Sequence, residues 1–258
     1  MAFQGGTSLN MSWGSPRFSE DIDLLLSQPE SGQLETVMGR CVNRINQSLA
    51  IDHPELTVSL HGGRGAGETG GLAAFELRAA HPDRLGKVRV KVEFWRVDPS
   101  YLDRYETEFR LPVRQGEIIT RSSIPIPAAT REAAYADKIT AFATRPRFKA
   151  RDVFDFWWLG KQVALSPEAA AGRFLDQVVA YTTVGKCAPA DALRVFLETY
   201  DRARMLDTVK KELPRWLPEE TWKSLGDAAA EQMVDYTRRT LEAVAQAAEQ
   251  IGDGAPYP

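Results

Sequence analysis

The chain has 258 residues, a charged fraction of 26% and a formal net charge of −3, which suits one large globular domain or two small ones with ample residues to bury a core. That balance excludes a global positive field for nucleic acid, so any RNA contact has to be local. Cys41 and Cys187 stand far apart with neither CxxC nor Cys/His spacing, which excludes a disulfide framework and a zinc site and fits a reducing cytoplasm, while no apolar stretch suits a membrane span or a signal peptide.

In chain order, "FQGGTSLN" opens with Gly5 and Gly6, which permit a tight turn. Strand patterns follow at Asp21 to Leu26, Leu56 to His61, Ala73 to Ala79 and Lys87 to Val97. A helical pattern lies near Leu34 to Leu49, and the Gly-rich "HGGRGAGETGG" predicts a mobile turn between two strands. Strand character extends to about Val113. From Ala128 onward helices dominate, in "PAATREAAYADKITAFATR", "ARDVFDFWWLGKQVAL", "PEAAAGRFLDQVVAYTTV", "ADALRVFLETYDRARMLDTVKKEL" and "PEETWKSLGDAAAEQMVDYTRRTLEAVAQAAEQ". Each repeats apolar positions at helical spacing and begins near Pro, Ser or Asp. The closing "GDGAPYP" reads as a frayed tail. The pattern predicts an α+β fold, with a mixed sheet and flanking helices over 1–125, a helical bundle over 126–250 and a tail over 251–258.

Chemistry enters with the carboxylates. Strand side chains alternate, so "EDIDLLL" puts Asp21 and Asp23 on one face and Ile22 and Leu24 on the other. In "KVRVKVEFW", Val88, Val90, Val92 and Phe94 share one face, while Lys87, Arg89, Lys91, Glu93 and Trp95 share the opposite one. Two side-by-side aspartates repel and suit a strand poorly, so a cation or a set of donors has to compensate them. A divalent metal is the economical compensation. Mg²⁺ takes hard oxygen ligands, often one or two carboxylates completed by water and substrate phosphates, and two such ions can support in-line phosphoryl transfer. Glu93 is the candidate third carboxylate beside Asp21 and Asp23. Gly5 and Gly6 would bring backbone N–H groups against a triphosphate, with Thr7 or Ser8 donating a hydroxyl. Taken singly, the acidic pair also fits a solvated strand face and Gly-Gly-Thr an ordinary turn; their ordered combination is more specific.

The run Gly5-Gly6-Thr7-Ser8, followed by Arg17-Phe18-Ser19-Glu20-Asp21-Ile22-Asp23-Leu24, resembles the polymerase-beta-like nucleotidyltransferase superfamily. More narrowly it resembles the AbiEii/AbiGii toxin family, whose second block is similar to "YADKITAFATRPRFKARDVFDFWWL", with Lys138, Arg145, Arg151, Asp152 and Asp155. The resemblance implies a nucleotidyltransferase-fold domain followed by a helical domain, with a catalytic cleft between them. It implies a Mg²⁺-dependent transferase of the type IV toxin–antitoxin or abortive-infection kind, taking an NTP as substrate and an RNA, tRNA included, as acceptor. The partner it implies is a winged-helix antitoxin that acts without a stable complex. By motif, Asp21 and Asp23 hold metal, Ser8 and the glycines hold phosphate, Lys138 contacts the triphosphate, and Asp152 or Asp155 completes the site. Family members carry several tens of residues ahead of the Gly-Gly motif, a segment nearly absent here. The alternatives are therefore a shortened, non-catalytic nucleotide- or RNA-binding module, or a transferase with a small-molecule or protein acceptor.

Read physically, Lys138 could reach a phosphate as a point charge, while apart from the resemblance a surface pair with Asp137 or Glu132 is the favoured reading. Arg145, Arg147, Lys149 and Arg151 form a basic turn suited to phosphate or an RNA backbone, and also to plain solvation. Asp152 and Asp155, at i and i+3, share a helix face, where they orient Lys138 or Arg151, assist deprotonation of an attacking hydroxyl, or cap the helix start. Of Trp157 and Trp158, one is expected in the core and one lining a groove. His53, His61 and His81 lack metal-ligand spacing and receive no role. No G-x-S-x-G, HExxH or Walker A pattern occurs, which removes hydrolase, zincin and P-loop chemistry.

Overall fold

Alternating residues in "DIDLLLS" and "KVRVKVEFWRV" form two neighbouring strands in the computed structural model, which describes residues 1–27, 33–62, 71–83, 86–114, 117–118, 124–180 and 189–254. The chain gathers into two compact units, Met1–Ser8 with Ser19–Tyr105, and Leu9–Phe18 with Glu106–Pro258.

The first unit contains β1 (Ala2–Gln4), the start of α1 (Gly5–Trp13), β2 (Asp21–Ser27), α2 (Gln33–Asp52), β3 (Thr57–Gly62), β4 (Leu72–Ala80), β5 (Lys87–Val97) and α3 (Pro99–Arg104). Its strands run in the order β3-β4-β5-β2-β1. The β2–β5 pair is parallel and the others antiparallel, which makes the sheet mixed as expected. One face is apolar. Leu26, Val92, Phe94, Ala73 and Phe75 pack there against Leu34 and Met38 of α2, with Ile22 and Leu24 beside them. Burying one such side chain is worth about 1.5–3 kcal/mol, so this face fixes the register of β2 and β5. Val88 does not join that core; it is exposed at the start of β5. The Gly-rich turn expected between β3 and β4 falls largely on 63–70, outside the described residues.

The glycine turn takes a more definite form than expected. Gly5 has φ +76° and marks the switch from strand β1 into helix α1, a conformation that needs no Cβ. Neither β1 nor α1 shows in the sequence pattern, because three residues are too few for alternation and α1 is weakly amphipathic.

The second unit contains β6 (Thr107–Arg110), the short β7 (Val113–Arg114) and β8 (Glu117–Ile118), β9 (Ile126–Ala129), and then α4 (Arg131–Thr144), α5 (Ala150–Gly160), α6 (Pro167–Ala180), α7 (Pro189–Thr199), α8 (Arg202–Glu212) and α9 (Glu219–Gly254). β6 pairs antiparallel with β9, and β7 with β8. The segment "PAA", expected as the start of a helix, lies instead in β9; the helix begins after Thr130, whose hydroxyl accepts from the Ala133 N–H at 3.1 Å. The run expected as one helix from 190 to 213 is α7 and α8, separated where the Asp201 carboxylate caps Arg204 N–H at 2.8 Å. Gly226, with φ +65° and ψ −178°, breaks α9 near its start. Helix α9 packs against α5, α6, α7 and α8, burying Met233, Val234, Leu241 and Val244. The expected tail extends the helix to Gly254, and 255–258 lie outside the described residues.

Candidate active site

In the first unit, β2 and β5 set the acidic face. Asp21 is in register with Lys91, and Asp23 with Glu93. In-register neighbours of a parallel pair project to the same side, on strands about 4.8 Å apart. Asp21, Asp23, Lys91 and Glu93 therefore share the face opposite the apolar core, as strand parity requires. Lys91 forms an ion pair with Glu93. That hydrogen bond raises the Lys91 pKa against the effect of burial, and the charges of Glu93, Asp21 and Asp23 add to the rise.

The Gly5–Gly6 junction meets this face at Asp23. A Cβ at Gly5 would collide with the Asp23 carboxylate, so that carboxylate lies against the start of α1, where a negative charge is favoured by the helix dipole. The hydroxyls expected to serve phosphate are used otherwise. Thr7 Oγ1 donates to the Asp21 carbonyl, and buried Ser8 Oγ donates to the Phe3 carbonyl at 3.1 Å. Both bonds tie the first turn of α1 to β1 and β2. The chemistry that remains here is backbone N–H at the helix start and carboxylate oxygen on the strands.

These oxygen donors suit Mg²⁺, for which one or two carboxylates with water and phosphate oxygens suffice. Among the described residues, however, no three His, Cys, Asp or Glu side chains gather into a group that could hold a metal. Asp21, Asp23 and Glu93 share one sheet face, and the Glu93 carboxylate is engaged by Lys91.

The second unit holds a buried ion cluster. Arg17 reaches Asp155 with two bonds, Nε to Oδ1 at 2.6 Å and Nη2 to Oδ2 at 2.8 Å. Lys138 Nζ lies 2.7 Å from Asp155 Oδ2 and 2.9 Å from Asp152 Oδ1, and Arg145 pairs with Asp152. The Arg17 and Asp155 side chains are 2% and 0% exposed. Burial by itself would raise both carboxyls; for Asp152 the charges of Lys138 and Arg145 outweigh it, and for Asp155 those of Arg17 and Lys138 do, so both stay well below the usual range. The surface alternative for Lys138 is overturned by its burial. Of the alternatives for the two aspartates, pairing with Lys138 is present, and Asp152 pairs with Arg145 as well.

The basic turn is partly committed to the fold. Arg145 serves Asp152, and the Arg151 guanidinium stacks 4.7 Å from the Trp216 ring centroid. Arg147 and Lys149 are exposed. Trp157 is buried and Trp158 half-buried.

Arg17 and Lys91 are not among the residues expected in the site, although Arg17 opens the motif run. Arg17 stands in the same run as the aspartates, but nothing in the run marks an arginine as buried. Lys91 shares the parity of Glu93, yet a lysine on a strand face is too common to single out.

The AbiEii family model, described as a nucleotidyl transferase AbiEii toxin of a type IV toxin–antitoxin system, matches residues 1–250. Among solved structures, the chain is similar to JHP933 from Helicobacter pylori, with 19% identity and a TM-score of 0.50 over 98% of this chain and 87% of that one. It is also similar to MenT4, a nucleotidyltransferase toxin from Mycobacterium tuberculosis H37Rv, with 18% identity and a TM-score of 0.50 over 94% of this chain and 74% of that one. At these identities the likeness is one of fold. No curated protein matches the chain.

Proposed function

The chain belongs to the AbiEii nucleotidyltransferase toxin family, and from that premise we propose that it moves a nucleoside monophosphate from an NTP to an RNA acceptor, tRNA included, with Mg²⁺. The observation that carries this reading is the shared face of Asp21 and Asp23 in register with Lys91 and Glu93, abutting the start of α1.

In the proposed reaction an RNA hydroxyl attacks the α-phosphate, its oxygen–phosphorus bond forms as the bond to pyrophosphate breaks, and the hydroxyl proton passes to solvent water. Asp21 and Asp23 would hold Mg²⁺, which would supply Lewis-acid stabilisation of phosphate charge. The N–H groups of Gly5 and Gly6 at the start of α1 orient phosphate oxygens. Thr7 and Ser8 hold that turn in place through their main-chain acceptors. Lys138 is the residue the family motif assigns to the triphosphate, and Asp152 and Asp155 fix its position. Arg147 and Lys149, with Arg145 and Arg151 beside them, offer the RNA backbone a local positive turn. The type IV description points to an antitoxin partner, which we take to be a winged-helix protein acting without a stable complex. Among the described residues no helix is long and apolar enough to cross a membrane.

Pyrophosphate release from each NTP, with and without total cellular RNA, tests the reading. RNA-dependent, multiple-turnover release is expected. NTP binding without release would favour the non-catalytic module, and release indifferent to RNA would favour a small-molecule or protein acceptor.

A further inference from the structure

The aspartate pair on β2 needs a positive charge whenever no metal is bound, and the sheet supplies one. Lys91 sits in register with Asp21, two residues before Glu93 on the same strand face, and its ammonium pairs with Glu93. Glu93 in turn is in register with Asp23. Three carboxylates and one ammonium thus occupy a patch two strands wide and three residues long. The other acidic neighbour of Lys91, Glu76 across the β4–β5 ladder, is engaged by Arg78 and Arg89. The charges of Asp21 and Asp23 also act on Lys91, beside that of Glu93. The Glu93 side chain is 14% exposed and that of Lys91 49%, so the carboxylate is sheltered while the lysine stem reaches solvent.

We propose that Lys91 is a resident counter-ion of the acidic face, holding Asp21, Asp23 and Glu93 side by side until a divalent cation displaces it and frees Glu93. The inference rests on the metal-binding reading of Asp21 and Asp23 and goes beyond it by giving the metal-free enzyme an internal cation that competes for the site. It accounts for the engaged state of Glu93. A half-exposed lysine side chain suits the role, because water screens its pairing enough to be reversible and its flexible stem can swing clear.

The test uses the full chain and Mn²⁺ as probe, with binding read from the electron paramagnetic resonance of free Mn²⁺ and stability from thermal melts in chelator and in saturating Mn²⁺. Lys91→Met is expected to bind Mn²⁺ roughly tenfold tighter than the wild type, since a competing like charge is removed from a partly screened site. It should also melt below the wild type in chelator, with Mn²⁺ narrowing that gap. Lys91→Arg, which keeps the charge, should bind no tighter than the wild type. The proposal is overturned if Lys91→Met binds Mn²⁺ no tighter than the wild type, or if its melting deficit is the same with and without Mn²⁺. Mn²⁺ binding that survives intact in Asp21→Ala/Asp23→Ala would instead overturn the metal site itself, whatever Lys91 does.

Discussion

Single atoms decide the outcome at two positions. Gly5 combines φ +76° with a neighbouring carboxylate where its Cβ would stand. Gly5→Ala is therefore expected to displace Asp23 and to cost roughly 1–2 kcal/mol in backbone strain. Transfer assays and melts on that variant check this, and wild-type values in both would refute the close approach. Asp155 is fully buried between Arg17 and Lys138. Replacing it by Asn leaves those cations under-compensated, and a loss of about 3–5 kcal/mol is expected in urea unfolding at neutral pH. The pH dependence follows from the depressed carboxyl: its stabilisation is complete above the ordinary value of 3.8 and is lost as pH falls through the lower folded value. The gap between wild type and Asp155→Asn should accordingly shrink on acidification below that ordinary value, and a constant gap would argue against an ionised Asp155.

Elements are legible where periodicity and capping agree. At the junction of α5 and α9, a Cβ on Gly160 would meet the Tyr236 hydroxyl, which itself bonds Tyr135 at 2.7 Å. Gly160→Ala should cost about 1–3 kcal/mol through overpacking, with part recovered in the Tyr236→Phe background; a neutral urea midpoint would contradict that packing. The strands β2 and β5 can be read because Ile22 and Leu24 alternate with Asp21 and Asp23, and Val92 and Phe94 with Lys91 and Glu93. The start of α4 is hidden because Ala128 and Ala129 suit a helix by composition, while their pairing with Glu108 and Thr107 makes them strand. The break between α7 and α8 has a local signal in Asp201, and the break in α9 has one in Gly226, but helical spacing on either side masks both. The acidic pair is legible from residue type and order, and Lys138 only through the family motif. The burial of Arg17 is not, since its partner Asp155 comes from α5, and the role of Lys91 is not, since the acidic face it shares with Glu93 is completed by β2.

Across the whole molecule, a net charge of −3 leaves RNA attraction to local features. Charge reversal at Arg147 and Lys149, both exposed, should weaken RNA binding and flatten its salt dependence by about one unit of slope for each phosphate no longer neutralised. Filter binding across a salt series measures it, and an unchanged slope would move the RNA-binding surface elsewhere. In the proposed function, Asp21 and Asp23 carry the nucleotidyl transfer. The most direct test is transfer of label from each α-labelled NTP, with Mg²⁺, to total cellular RNA by the wild type and by Asp21→Ala/Asp23→Ala. Labelled RNA from the wild type and none from a folded double variant is the predicted result; equal labelling by both would contradict the account.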